Sequence, residues 1–339
     1  MSDLNNTSNN INGTLAPIAV FVYKRMEHTA NLLTSLAGCV HAKETEVFIF
    51  SDGPKKETDV ADVSAVRNLI HDSKWEDLFG KITVIEAPSN KGLANSIISG
   101  ATQIINEYGK VLVLEDDLIV APYYITYMNQ ALNAFENSDN IFAVAGWSYP
   151  VKELENYKKD AWLHYRPCSW GWGTWKDRWD KVVWDPEEAH FMDKLSDRNW
   201  LGRLDKAGTD LAPMLRRQLN GEIDSWAVRW TANQVELGML AVFPTHPVVF
   251  DDGRDGTGTH AHARQGNDAV DNNRKLEQFI SSTFVYGKEV FDFSDAQLDK
   301  KIVRAAWNYD SDTLVKKIKR NLKKIFVEHN IPDFMKIRK

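Results

Sequence analysis

Cysteine is scarce: Cys39 and Cys168 are the two thiols in 339 residues. They form no C-x-x-C pair, which excludes a disulfide framework and a thiolate zinc site and makes the cytoplasm the simplest compartment. No apolar run is long enough to span a bilayer. The opening MSDLNNTSNNINGT has neither the basic nor the apolar stretch of a secretory signal, so residues 1–14 read as a disordered tail. No segment repeats. Positive charge is not in surplus either, since 41 Lys or Arg face 47 Asp or Glu for a net −6. Nucleic acid is therefore disfavoured as a partner of the body of the protein.

The charge is unevenly spread. Residues 313–339 hold nine Lys or Arg against Glu328 and Asp333, a surplus of seven positive charges, so the other 312 residues carry −13. This stretch places Val315, Ile318, Leu322, Ile325 and Phe326 on one face of a basic amphipathic helix. Such a helix can lie on anionic lipid, peripheral to the inner face of the plasma membrane, or pack on the body with its charges solvated.

What is present is a soluble-type composition, 43% hydrophobic and 26% charged, on a chain long enough for a substantial core. Short β-rich runs at 18–23, 46–50 and 82–87, then KVLVLEDD, alternate with helix-like stretches at 30–40, 58–69 and 93–109. This alternation predicts an α/β fold with a mostly parallel sheet flanked by helices. Ligands of such sheets sit beyond the carboxyl ends of the strands. KRMEH, SDG, SNKG and EDD all fall there.

Within VLVLEDDLIVAP, Glu115, Asp116 and Asp117 repel one another and are costly to remove from water unless cations or donors meet them. As hard oxygen donors they suit Mn2+ or Mg2+, which use few carboxylates and complete their shell with phosphates and water. Side chains alternate along a strand, so one or two of the three can ligate while another binds a ribose hydroxyl. The plain alternative is a strand that ends in a solvated acidic turn.

Read in order, a strand, R-x-x-H from Arg25, a strand ending in SDG, N-x-G-L-A from Asn90, and VLEDD followed by Pro122 resemble the bacterial glycosyltransferases of the A-type nucleotide-sugar fold. The EDD is similar to that of N-acetylglucosaminyltransferase I. The likeness covers residues 15–265 and is strongest over 17–150. It implies transfer of a sugar from a nucleotide donor, commonly UDP-linked, to an acceptor hydroxyl with help from Mn2+ or Mg2+. Carried over by position, Asp52 would contact the base, and Arg25 would lie near the diphosphate or base. Asn90 and Lys91 would line the crevice. Asp116 would hold the ribose or a metal-bound water, and Asp117 would ligate the metal; Glu115 is expected to meet backbone donors or the ribose. Each has a plain counterpart: Asp52 capping a turn, Arg25 and Lys91 solvated, Asn90 shaping its own loop.

Direct displacement needs a carboxylate to take the acceptor proton. GEIDSWAVRW offers Asp224, which matches the acid beside a Trp at a helix start in the resembled enzymes, and Glu222 as the alternative; Asp224 could equally be the N-cap of the helix. Residues 162–184 hold six of the twelve Trp, and SWGWGTW is expected as a loop around the sugar sites. Most of these Trp belong to a second core, while Trp170 and Trp172 are expected near a ligand. In DDGRDGTGTHAHA, His260 could reach the metal or diphosphate by resemblance, though Asp251, Asp252 and Asp255 would repel phosphate.

The expected organisation is a glycosyltransferase domain over 15–312, with a nucleotide-sugar half at 15–150 and an acceptor half at 151–312, followed by the basic helix 313–339. The expected partners are a nucleotide-sugar donor and a glycan or lipid-linked glycan acceptor. The rivals are a nucleotidyltransferase, whose glycine-rich loop after the first strand YKRMEHT lacks, and a non-catalytic glycan-binding protein.

Overall fold

The computed structural model describes residues 14–185, 189–253, 276–277, 279 and 289–310. The expected N-terminal tail, His260 and the basic helix 313–339 therefore lie outside the described residues, apart from Thr14. In chain order the first elements are β1 (Ile18–Val22), α1 (Met26–Ala37), β2 (Glu46–Ser51), α2 (Val60–Ile70), β3 (Lys81–Glu86), α3 (Leu93–Tyr108) and β4 (Lys110–Glu115). There follow β5 (Leu118–Val120), α4 (Tyr124–Phe135), β6 (Ile141–Ala145), β7 (Ala161–His164), β8 (Trp172–Trp175), α5 (Lys176–Trp179) and α6 (Phe191–Lys194). Then come α7 (Arg198–Ala207), α8 (Leu211–Leu219), α9 (Trp226–Leu237), β9 (Leu240–Pro244) and β10 (Val249–Asp251), and residues 300–310 are helical as well.

The expected α/β class is what the chain forms. An eight-stranded sheet runs in the order β3-β2-β1-β4-β8-β6-β9-β7, and β10 pairs with β5 in a two-stranded ribbon. The pairs β1–β2, β2–β3, β1–β4 and β6–β9 are parallel, while β8 and β7 are antiparallel to their neighbours. β1 and β6 are buried at every residue because helices cover both faces. The pleat divides β1 and β4: Ile18, Val20, Leu112 and Leu114 join Leu32, Leu33 and Leu36 of α1, whereas Ala19, Phe21, Val111 and Val113 join Ile97 and Ile104 of α3 and Trp226 and Trp230 of α9. Each such residue removes most of its side chain from water, about 1.5–3 kcal/mol apiece for the larger ones.

Two boundaries depart from expectation. α1 begins at Met26, so the polar stretch MEHT is its first turn rather than a loop. SWGWGTW is not a loop around a sugar: its second half is β8, inserted between β4 and β6. Gly173 permits this, since a Cβ there would stand 2.7 Å from Leu112 Cδ2 and 3.1 Å from the Val111 carbonyl oxygen. Among the described residues no helix is long and apolar enough to cross a membrane.

Candidate functional site

β1 pairs with β2 on one side and β4 on the other, with β3 beyond β2. The chain order reverses at the β1–β4 pair, the place where in open α/β sheets the loops leaving the two strands part and leave a crevice at their carboxyl ends. Phe21 is in register with Glu115, which brings the residues following β1 against those following β4.

Arg25 enters the crevice from the residue before α1, and its guanidinium Nη2 pairs with Asp116 Oδ1 and, at 2.9 Å, with Asp117 Oδ2. Asp116 is buried, with 5% of its surface exposed, whereas Asp117 is half-buried. Burial works against the Arg25 charge, but the two carboxylates outweigh it and raise its pKa. Glu115 is pushed the other way from an ordinary acid: burial, then the charges of Asp117 and Asp116, hold its carboxyl well above the usual range. Arg25 Nη1 is buried without a hydrogen-bond partner among the described residues, and such a donor is costly unless a ligand meets it.

A second segment closes over these acids. β10 pairs antiparallel with β5, Asp252 N–H donates to the Asp117 carbonyl at 2.8 Å, and a Cβ on Gly253 would overlap the Asp117 carboxylate. Asp251 joins the field around Glu115. Sequence reasoning had Asp251 only as a charge repelling phosphate. The signal for its position was the pair of three-residue β runs LIV and VFD, too short to be matched without the fold.

The loops after β2 and β3 are fastened together at the same edge. Asp52 Oδ1 accepts N–H groups of Gly53 and Lys91, both at 2.8 Å, and Oδ2 accepts Asn90 Nδ2 at 3.0 Å and Gly92 N–H at 3.1 Å. A carboxylate has about four acceptor positions, and all are taken. Asp52 thus holds the SNKG loop in place, and the base contact implied by resemblance would need one of these bonds released. A Cβ on Gly53 would lie 2.5 Å from the Ser89 carbonyl carbon, so this approach demands glycine. Asn90 also donates to the Gly53 carbonyl at 3.0 Å, and the Lys91 side chain is exposed. Beside them Asp59, absent from the expected set, accepts from Lys24 Nζ at 2.8 Å and Tyr23 Oη at 3.0 Å.

α9 runs into β9, which is parallel to β6, so the helix N-terminus stands at the carboxyl edge of the sheet, the edge that carries the crevice. The N-cap is Ser225, whose hydroxyl accepts Val228 N–H at 3.3 Å; the cap expected of Asp224 is corrected accordingly. Asp224 is exposed and held by Arg229 Nη2 at 2.9 Å. Glu222 is exposed and pairs with Arg217 at 3.4 Å.

The Trp expectations divide. Trp172 is fully buried, its ring 4.3 Å from that of Trp230 and 5.8 Å from that of Trp179 between centroids, so it is a core residue beyond the reach of a sugar. Its neighbours α3, α5 and α9 cover the face on which β8 presents it. Trp170 is half-buried, edge-on to Trp147 at 4.8 Å. A cavity of about 360 Å3 lined by Gln130, Phe135, Val290 and Phe293 is at the C-terminal end of α4, which the direction of that helix puts at the opposite sheet edge.

For a divalent cation, the donor set fits in kind. Glu115, Asp116, Asp117 and Asp251 supply hard oxygens near the Arg25 guanidinium. Among the described residues no three His, Cys, Asp or Glu gather closely enough to enclose an ion. An ion held by one or two carboxylates, with water and phosphate oxygens completing its shell, suits this arrangement.

No protein-family model matches the chain, and no curated protein does. Among solved structures it is similar to a mannosyltransferase, PcManGT from Pyrobaculum calidifontis in complex with GDP-Man and Mn2+, at 15% identity and a TM-score of 0.34, over 48% of this chain and 46% of that one. It is also similar to TarS of S. aureus, at 18% identity and a TM-score of 0.27, over 38% of this chain and 21% of that one. The match spans less than half the length of either. Likenesses this slight carry no argument about activity, which rests on the residues and topology above.

Proposed function

We propose that the protein is a glycosyltransferase of the A-type fold that moves a sugar from a nucleoside diphosphate donor, UDP-linked by resemblance, to a hydroxyl of a glycan or lipid-linked glycan in surface polysaccharide synthesis. The observation that carries this reading is the meeting of Arg25 with Asp116 and Asp117 at the strand-order switch between β1 and β4. A nucleotide needs a charge-matched edge at that place, and a diphosphate needs both a cation and the buried donor that Arg25 presents.

Breaking the anomeric carbon–oxygen bond builds negative charge on the departing diphosphate. Arg25 offsets it from the crevice floor. Asp117 would hold Mn2+ or Mg2+, which supplies further charge stabilisation there when bound. Asp116 and Glu115 line the floor, and the Asp52-fastened loop with Asn90 and Lys91 forms the adjoining wall. Asp224, oriented by Arg229, takes the proton of the acceptor hydroxyl, with Glu222 as the alternative base. A single base opposite the leaving group gives inversion in one displacement.

The test is a thermal-shift panel of nucleotides and nucleotide-sugars with and without Mn2+, because a ligand bound only by the native state raises its melting temperature. A rise with one nucleoside diphosphate family, larger with Mn2+, is expected. No rise with any of them sinks the reading. Release of pyrophosphate rather than a nucleoside diphosphate would assign nucleotidyl transfer instead.

A further inference from the structure

Arg25 occupies the place that a metal ion and a diphosphate would both contest. One nitrogen, Nη2, serves Asp116 and Asp117 together, and Asp117 Oδ2 is caught between that nitrogen and the Gly253 backbone. An ion approaching the Asp117 carboxylate therefore meets a resident cation at 2.9 Å. The other terminal nitrogen, Nη1, is buried with no hydrogen-bond partner among the described residues. A guanidinium in this state makes poor use of its fork, which matches two oxygens of one phosphate far better than single oxygens of two carboxylates.

We infer that Arg25 is a built-in counter-ion that neutralises Asp116 and Asp117 in the free protein and is drawn off by the donor diphosphate, releasing Asp117 for the metal. Metal and nucleotide then bind cooperatively, and each tightens the other by the same factor because the coupling is reciprocal. The free protein keeps its buried Asp116 paired, which matters because an unpaired buried charge is strongly destabilising. The order of events follows: metal alone binds weakly, and the site assembles when the diphosphate arrives. This inference rests on the proposed function, since it needs a site that takes both ligands.

The experiment measures Mn2+ binding to the full chain by the loss of the free-ion paramagnetic resonance signal, with Mn2+ alone and with UDP or GDP, corrected by a protein-free control. Wild type should bind Mn2+ alone weakly and gain about 5- to 150-fold with the nucleotide it accepts. Arg25→Gln should bind Mn2+ alone about 10-fold more tightly than wild type, since a competing charge is gone, and lose most of the nucleotide-dependent gain. Arg25→Lys keeps the charge without the fork and should fall between; it also serves if Arg25→Gln does not fold. Asp117→Asn should bind no Mn2+. Arginine variants with Mn2+ affinity equal to or below that of a nucleotide-binding wild type overturn this inference alone. A wild type that takes up neither nucleotide nor Mn2+ overturns the proposed function with it.

Discussion

The Asp52 carboxylate accepts the backbone N–H of Lys91 at 2.8 Å, joining the end of β2 to the loop that starts α3 across a gap of 39 residues. With the N–H groups of Gly53, Asn90 and Gly92 it forms a saturated acceptor centre that shapes one wall of the crevice. Asp52→Asn should turn one acceptor oxygen into a donor facing donors. A stability loss of about 2–3 kcal/mol is expected by urea denaturation, with faster amide exchange at residues 90–92. Unchanged exchange there would show that the loop holds its own shape.

Asp224 is exposed and tied to Arg229, so replacing it should leave folding intact. Asp224→Asn is expected to keep donor binding in the thermal-shift assay while turnover falls about 100- to 10,000-fold, the usual contribution of a general base. Normal turnover would shift the base to Glu222.

Trp172 separates core from ligand wall. Because its ring is enclosed by Trp179, Trp226 and Trp230, Trp172→Ala should cost about 3–5 kcal/mol on denaturation. Trp170→Ala, at a half-buried position, should cost less. A Trp172→Ala variant as stable as wild type would contradict the enclosed geometry.

His164 sets a pH dependence. It is fully buried and its Nδ1 accepts the Arg166 N–H at 3.1 Å; burial lowers its pKa from about 6.5 to about 3. The unfolded chain therefore binds the proton first, so stability is lost as pH falls below about 6.5 and continues to be lost down to the folded value. From pH 7 to pH 5 this group alone should remove about 2 kcal/mol. His164→Asn, which retains an acceptor near the Nδ1 position, should flatten that part of the stability profile. Parallel profiles for the two proteins would assign the slope to other groups.

Much of the frame was legible in the sequence because it rests on local pattern. The aliphatic runs of β1, β2 and β4 announce strands buried on both faces, and Gly109 ends α3 at φ +77°. Three acids after an aliphatic strand had to lie at a sheet end, since nowhere else along it could water, cations or donors reach them. Tertiary structure decided which group met them. Arg25 and Asp116 are 91 residues apart, and their pairing exists only because β4 crosses to lie beside β1. The same long-range choice put β8 between β4 and β6, turning Trp172 from an expected ligand wall into core, and laid Asp251–Gly253 over Asp117. Periodicity within a segment fixes which face is apolar; which other segment covers that face depends on packing across the whole chain.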